Sequence, residues 1–205
     1  MPSSTPKRHV VVIPFPSDSH ASPLFNLVRN LASSTPTIRF SFLSTPESNS
    51  SLFHSGSDTL SSLPNILVYD VGAGKSPEQF LKSAKSNYEG AIGHAERESG
   101  IKAGCLLTDV FMLFACEIAE SLSIQWIPFW VPAPYFLSAY LYADVISDLC
   151  RVHDNKPGGG IRLSTVPGLS EMYLEDVPRK HVLEQTDSLM SAMFQSIRHV
   201  LPCCC

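Results

Sequence analysis

The stretch RHVVVIPFPSDSHASPLFNLVRNLASS, from Arg8 to Ser34, decides the fold. Its apolar run Val10–Phe15 is too continuous for a strand with one solvent-exposed face, so it predicts a strand buried on both faces of a parallel sheet. A polar loop then ends at His20, and Pro23 predicts the first turn of a helix. Apolar side chains follow at helical spacing, at Leu24, Leu27, Val28 and Leu31. The unit is therefore strand, loop and helix, with His20 at the carboxyl end of the strand.

Helical patterns separate most of the other strand patterns along the chain. Further strands are predicted over Ile38–Ser44, Ile66–Val71, Gly104–Thr108 and Ile124–Trp130. Helices are predicted near Ser48–Phe53, over Ser76–Gly100, directly after Asp109 with a face that runs from Met112 to Leu122, over Pro132–Arg151 and over Asp187–Val200. This alternation predicts the α/β class, with right-handed crossovers and a parallel sheet flanked by helices.

Composition excludes several classes of function. The net charge of -4 gives no basic field for nucleic acid. The chain has no apolar run of the roughly 18 residues that a membrane span needs and no secretory signal at its start, so we expect a cytoplasmic protein. The turn FPSDSHASP has no glycine for close approach to a pyrophosphate, and no G-x-S-x-G motif is present. A nicotinamide-dependent oxidoreductase and a serine hydrolase are both disfavoured.

Two titratable residues are predicted at the carboxyl ends of buried strands. His20 follows the first strand and Asp109 follows the fourth. Because such ends share one edge of a parallel sheet, where ligands gather, the two side chains could meet across neighbouring loops. A carboxylate on one imidazole nitrogen fixes the tautomer, which is what a general base requires. The alternatives are a histidine that only hydrogen-bonds backbone and an aspartate that caps a helix.

Several segments, in order, resemble the amino-terminal domain of plant UDP-sugar-dependent glycosyltransferases, closest to the flavonoid (anthocyanidin/flavonol) 3-O-glucosyltransferase branch. They are HVVVIPFPSDSHASPLFNLVRNLA, FSFLSTPESNSSLF, GCLLTDVF, WIPFWVPAP and VPGLSEMYLEDVP. The likeness runs from about His9 to Pro202. It implies a Rossmann-like domain, residues 1–202, that binds the acceptor and forms the amino-terminal half of a GT-B fold.

The resemblance also implies a mechanism and a set of site residues. His20 is expected to remove the proton from a phenolic hydroxyl of the flavonoid acceptor, and Asp109 to stabilise the resulting imidazolium. Phe15, Phe111 and Tyr140 are expected to contact the acceptor; ordinary core packing is the alternative for each. A UDP-sugar serves as co-substrate, and no cofactor or metal is needed.

Other positions bear on the sugar donor. The resemblance places Ser19 and Val131 near it. Many relatives carry a threonine at the position of Val131, and a valine cannot make that hydrogen bond, so the choice of sugar stays open. Asp18 stands where a small hydroxyl residue is common, and it either acts on His20 or faces solvent.

The chain ends in Cys203, Cys204 and Cys205, where relatives continue into a second domain that binds the UDP-sugar. Adjacent cysteines lack the spacing of a zinc site or a disulfide framework. We expect residues 203–205 to be an aberrant tail and the UDP-sugar-binding domain to be absent. The alternative function is then a truncated, non-catalytic flavonoid-binding lobe or an unstable fragment.

Overall fold

A computed structural model describes residues 6–53, 62–72, 77–153, 160–177 and 196–197. Two compact units divide the chain, Met1–Val131 and Pro132–Cys205. The first unit contains a five-stranded, wholly parallel sheet. Its strands are β1 (Arg8–Ile13), β2 (Ile38–Ser44), β3 (Ile66–Asp70), β4 (Cys105–Asp109) and β5 (Gln125–Phe129). Its helices are α1 (Asp18–Ser34), α2 (Pro46–Phe53), α3 (Pro77–Ser99) and α4 (Phe114–Leu122).

The order of the strands in the sheet determines where a ligand can bind. The order is β3-β2-β1-β4-β5, so the chain leaves β1 toward one edge and later returns to the other side of β1. In open α/β sheets this reversal leaves a crevice at the carboxyl ends of the two central strands. Here those strands are β1 and β4, with Ile13 opposite Thr108 in the register. The predicted parallel sheet and α/β class are confirmed.

A hydrophobic core on one face of the sheet fixes β1 and α1. Alternate strand residues such as Val12, Phe40 and Phe42 pack against one side of α1, as their period-two and period-3.6 patterns require. The α1 side chains in this core are Leu24, Phe25, Val28 and Ala32. Burying a large apolar side chain contributes about 1.5–3 kcal/mol, so the start of α1 is held firmly against β1.

The first helix begins earlier than the sequence predicts. Ser17 is its N-cap residue and Asp18 its first residue, so His20 lies in the first turn rather than in a loop. Pro23 lies inside the helix, where it removes only one main-chain hydrogen bond close to the amino terminus. The prediction that Pro23 lies in the first turn was wrong, because the helix already begins five residues earlier, at Asp18.

The segment after β4 also differs from its prediction. A turn from Asp109 to Met112 precedes α4, and the Met112 N–H donates to the Asp109 carbonyl over 3.0 Å. The helix begins at Phe114 instead of directly after Asp109. Leu113, not Asp109, is the N-cap residue, so the helix-cap alternative for Asp109 is wrong.

The fifth strand is an edge strand, as Pro128 in its pattern predicts. The Val110 N–H donates to the Phe129 carbonyl over 3.1 Å. Since neighbouring residues of a strand alternate in direction, the Pro128 nitrogen points away from β4 toward the open edge. The proline therefore costs the sheet no hydrogen bond.

The second unit contains two helices where the sequence predicts one. They are α5 (Pro134–Leu141) and α6 (Ala143–His153), with a break at Tyr142, where φ is −107° and ψ is 22°. A short 3₁₀ helix, Leu174–Asp176, packs with α6. The predicted helix Asp187–Val200 lies outside the described residues except Ser196 and Ile197, and Cys203–Cys205 lie outside them entirely.

Candidate active site

The structure brings His20 and Asp109 together. The His20 Nδ1 lies 2.7 Å from the Asp109 Oδ2, across the crevice between β1 and β4. The Asp109 side chain is fully buried, whereas 18% of the His20 side-chain surface is exposed. The predicted proximity of these two residues, 89 positions apart in the sequence, is confirmed.

Main-chain geometry holds the Asp109 carboxylate in place. Its Oδ1 accepts the Phe111 N–H over 2.9 Å, while its Oδ2 faces His20. Both carboxylate oxygens therefore have partners, which a fully buried charge requires. The carboxylate accepts a hydrogen bond from Nδ1–H, so the lone pair of the imidazole lies on Nε2. Among the described residues none hydrogen-bonds to Nε2, so this nitrogen can accept a proton.

Aromatic rings surround the imidazole. The ring centroids of Phe15 and Phe111 lie 5.4 Å and 5.3 Å from that of His20, and 6.0 Å from each other in an edge-to-face arrangement. Trp130 extends the group, with its centroid 6.4 Å from that of Phe111. Phe111 is buried and Phe15 is half-buried. Both rings thus lie at the predicted site, and their contact with an acceptor stays a prediction.

The residues expected near the sugar donor both follow the carboxyl end of a strand in the first unit. Ser19 follows Asp18 in the first turn of α1 and is exposed, with its hydroxyl 3.3 Å from that of Ser17. Asp18 is exposed as well. Val131 is half-buried and follows the Phe129–Trp130 end of β5.

Tyr140 belongs to the second unit. It lies on α5, where it is buried and its ring stacks on that of Phe136 at 6.3 Å and 22°. Burial raises the pKa of its phenol to about 12, so the hydroxyl stays protonated at neutral pH and can donate a hydrogen bond. Its expected role in acceptor binding stays a prediction.

Sequence analysis missed Thr108 and Trp126, which support the turn that carries Asp109. The Trp126 Nε1–H donates to the Thr108 hydroxyl over 2.8 Å, and that hydroxyl donates to the Asp109 carbonyl over 3.1 Å. Only the position of Thr108 directly before Asp109 in the sequence could have signalled this.

A separate cavity of about 450 Å³ lies between β3 and α3. Its lining residues are Val68–Gly72, Asn87, Ala91 and His94, and none of the predicted site residues is among them. Among the described residues, no group of three or more His, Cys, Asp and Glu side chains could hold a metal ion. No helix within the described ranges combines the length and apolar character needed to cross a bilayer.

Comparison with known proteins supports the resemblance. A flavonol 3-O-glucosyltransferase of Arabidopsis thaliana is 36% identical over 213 residues, covering 97% of this chain and 46% of that protein. An anthocyanidin 3-O-galactosyltransferase of Rhododendron delavayi is 35% identical over 209 residues, covering 98% of this chain and 46% of that protein. This chain is homologous to the amino-terminal half of plant flavonoid 3-O-glycosyltransferases. It spans about half the length of the curated relatives it matches.

A solved structure gives the same result. The crystal structure of a UDP-glucose:anthocyanidin 3-O-glucosyltransferase in complex with UDP matches with a TM-score of 0.78 and 32% identity, over 97% of this chain and 46% of that one. This chain therefore has the Rossmann-like fold of the amino-terminal half of GT-B glycosyltransferases. No protein-family model matches the chain.

Proposed function

We propose that this chain supplies the acceptor-binding and proton-abstracting half of a UDP-sugar-dependent transferase. The transferase acts on the 3-hydroxyl of a flavonol or anthocyanidin. The observation that carries the proposal is the 2.7 Å contact between His20 and a fully buried carboxylate at the crevice between β1 and β4. The names of the relatives support the class of acceptor and donor.

In the proposed reaction, the His20 Nε2 takes the proton of the phenolic hydroxyl as that oxygen attacks the anomeric carbon of the sugar. UDP leaves from the opposite face, which inverts the anomeric centre and gives a β-glycoside. The Asp109 carboxylate stabilises the imidazolium that forms, and its fixed position keeps the ring oriented. General base catalysis of this kind contributes about 10²–10⁴-fold. The scheme assigns no step to a metal or cofactor.

The other residues have roles in binding. The rings of Phe15 and Phe111 offer flat apolar surfaces to a planar acceptor beside the base. The protonated phenol of Tyr140 is proposed to donate a hydrogen bond in acceptor binding. Ser19 and Val131 contact the sugar donor. The side chain of Val131 cannot hydrogen-bond to the sugar, so other groups must distinguish glucose from galactose. We expect the protein to act in the cytoplasm.

The experiment joins this chain to the carboxyl-terminal half of the Arabidopsis relative and supplies UDP-glucose or UDP-galactose with a flavonol. Formation of a 3-O-β-glycoside, identified by mass spectrometry and by the anomeric proton coupling, supports the proposal. The matched control is the same hybrid with His20→Ala. Equal transfer by the control, or an α-glycoside as product, would contradict the proposed mechanism.

A second candidate is a flavonoid-binding lobe that does not transfer sugar. The rings of Phe15 and Phe111 beside His20 favour it, because they can hold a planar acceptor whether or not sugar is transferred. Titration of the 205-residue chain with a flavonol then quenches the fluorescence of Trp126 and Trp130 without product under any sugar nucleotide. A measurable transfer rate from the chain alone rejects this candidate.

A further inference from the structure

A chain of hydrogen bonds reaches the candidate active site from β5. It starts at the indole of Trp126, passes through the hydroxyl of Thr108 and ends on the main-chain carbonyl of Asp109. The donor–acceptor distances are 2.8 Å and 3.1 Å, and the same carbonyl also accepts the Met112 N–H over 3.0 Å. Two donors thus fix the one carbonyl at which β4 turns away from the sheet.

This turn determines where the Asp109 carboxylate and the Phe111 amide lie. Asp109 carries the carboxylate that orients the imidazole, and the Phe111 N–H holds its other oxygen. The direction of the Asp109 carbonyl sets the main-chain angles between these two residues. A rotation there moves the carboxylate away from His20.

Burial fixes which group donates and which accepts in these two hydrogen bonds. Thr108 is fully buried and Trp126 nearly so. A buried indole N–H must find an acceptor, and the Thr108 hydroxyl is the one it reaches. Because that hydroxyl accepts from the indole, its own proton is directed to the Asp109 carbonyl.

We infer that Thr108 and Trp126 are positioning residues for the His20–Asp109 pair. The inference rests on the proposed function for its effect on transfer, but its effect on the geometry of the pair can be measured without turnover. Neither residue touches the imidazole or the acceptor in this scheme. They act through the turn that presents the carboxylate.

The decisive substitution is Thr108→Val, which keeps the shape of the side chain and removes the hydroxyl. In the 205-residue chain, we expect the His20 Nδ1 proton to exchange with water about tenfold faster, as measured by ¹⁵N-resolved NMR. In the hybrid enzyme we expect kcat to fall about tenfold, since small misplacements of a base slow the chemical step, while KM for the flavonol changes by less than about twofold.

Matched variants separate positioning from general loss of stability. Thr108→Ser keeps the hydroxyl and should restore both measurements. Thr45→Val removes another buried threonine hydroxyl, one that accepts the Ser48 N–H over 3.2 Å, and should change neither. If Thr108→Val does not fold, Trp126→Phe serves as the same test. It removes only the indole N–H that donates to the Thr108 hydroxyl.

Wild-type exchange of the Nδ1 proton in folded Thr108→Val or Trp126→Phe overturns the inference, as does an equal effect of Thr45→Val. If the wild-type hybrid transfers no sugar, the proposed function fails, and the exchange measurement still decides the positioning role. Loss of kcat with faster exchange in Thr108→Val, rescued by Thr108→Ser, establishes it.

Discussion

Two histidines lie at opposite ends of the same strand and have opposite surroundings. His9, near the start of β1, is 1% exposed and contacts neutral groups, the Ser41 hydroxyl over 2.7 Å and the Ile101 carbonyl over 3.0 Å. His20, after the end of β1, is partly exposed and contacts a carboxylate. Both ring nitrogens of His9 have partners, whereas His20 keeps Nε2 available. The difference between the two shows that burial and the charge of the partner, rather than residue type, distinguish a structural histidine from a candidate base.

The largest expected effect follows from removing the candidate base. In the hybrid enzyme, His20→Ala should lower kcat by about 10³-fold, because it removes the group proposed to take the acceptor proton. The measurement is the initial rate of glycoside formation under saturating flavonol. His94→Ala, at an exposed histidine on α3, should retain the wild-type rate. A His20→Ala rate within tenfold of wild type would remove His20 from the mechanism.

Changing the charge of its partner should have the next largest effect. Asp109→Asn keeps an oxygen for the Phe111 N–H but turns an NH₂ group toward His20, which places the imidazole proton on Nε2 instead. We expect kcat to fall about 10²-fold with little change in the unfolding transition. The matched control is Asp70→Asn, at the carboxyl end of β3, which should keep the wild-type rate. Equal loss in both variants would show that the effect is not specific to the pair.

The structural histidine should affect stability and not turnover. His9→Ala removes two buried hydrogen bonds and leaves a cavity, so we expect the free energy of unfolding to fall by about 2–3 kcal/mol. Urea denaturation of the chain measures this. Ser41→Ala, which removes one of the two partners, should cost about 1 kcal/mol. If kcat of the folded His9→Ala hybrid fell by more than about threefold, the interpretation of His9 as a purely structural histidine would be contradicted.

The smallest expected effect is a pH dependence of stability. Burial lowers the pKa of His9, as does nearby Arg39, and the Ile101 carbonyl and Glu96 oppose this shift. The unfolded chain therefore binds a proton at higher pH than the folded chain does. Stability contributed by His9 is fully present above about pH 6.5 and decreases as the pH falls through the lowered pKa.

The variant His9→Gln isolates this contribution, because it has no titratable group at that position. Urea denaturation between pH 7.5 and about pH 5 should show a steeper loss of stability for wild type than for His9→Gln, by less than about 1 kcal/mol in total. If the two proteins lost stability in parallel over this pH range, protonation of His9 would not contribute to the pH dependence of the free energy of unfolding.

Much of the architecture could be predicted from the sequence because buried parallel strands have continuous apolar runs. The positions of β1 and β4 followed from those runs to within two residues, and with them the meeting of His20 and Asp109. The break at Tyr142 could not be predicted, since no proline or glycine marks it. The early start of α1 depends on packing against β1, which local patterns do not contain.

His9 and Thr108 show the other limit of sequence reasoning. Each lies in an apolar strand pattern, so nothing local distinguishes it from a core residue. Their partners Ser41 and Trp126 lie on other strands, 32 and 18 positions away, and only the register of the sheet brings them together. Polar contacts between strands therefore depend on pairing that the sequence alone did not provide.

Phe111 contributes to the site in two separable ways. Its amide holds the carboxylate of Asp109, and its ring faces His20. Every residue except proline has the same amide, so evolution can exchange the side chain at this position and keep the carboxylate anchored. The surface offered to small molecules can thus diversify while the contact between His20 and Asp109 is inherited unchanged.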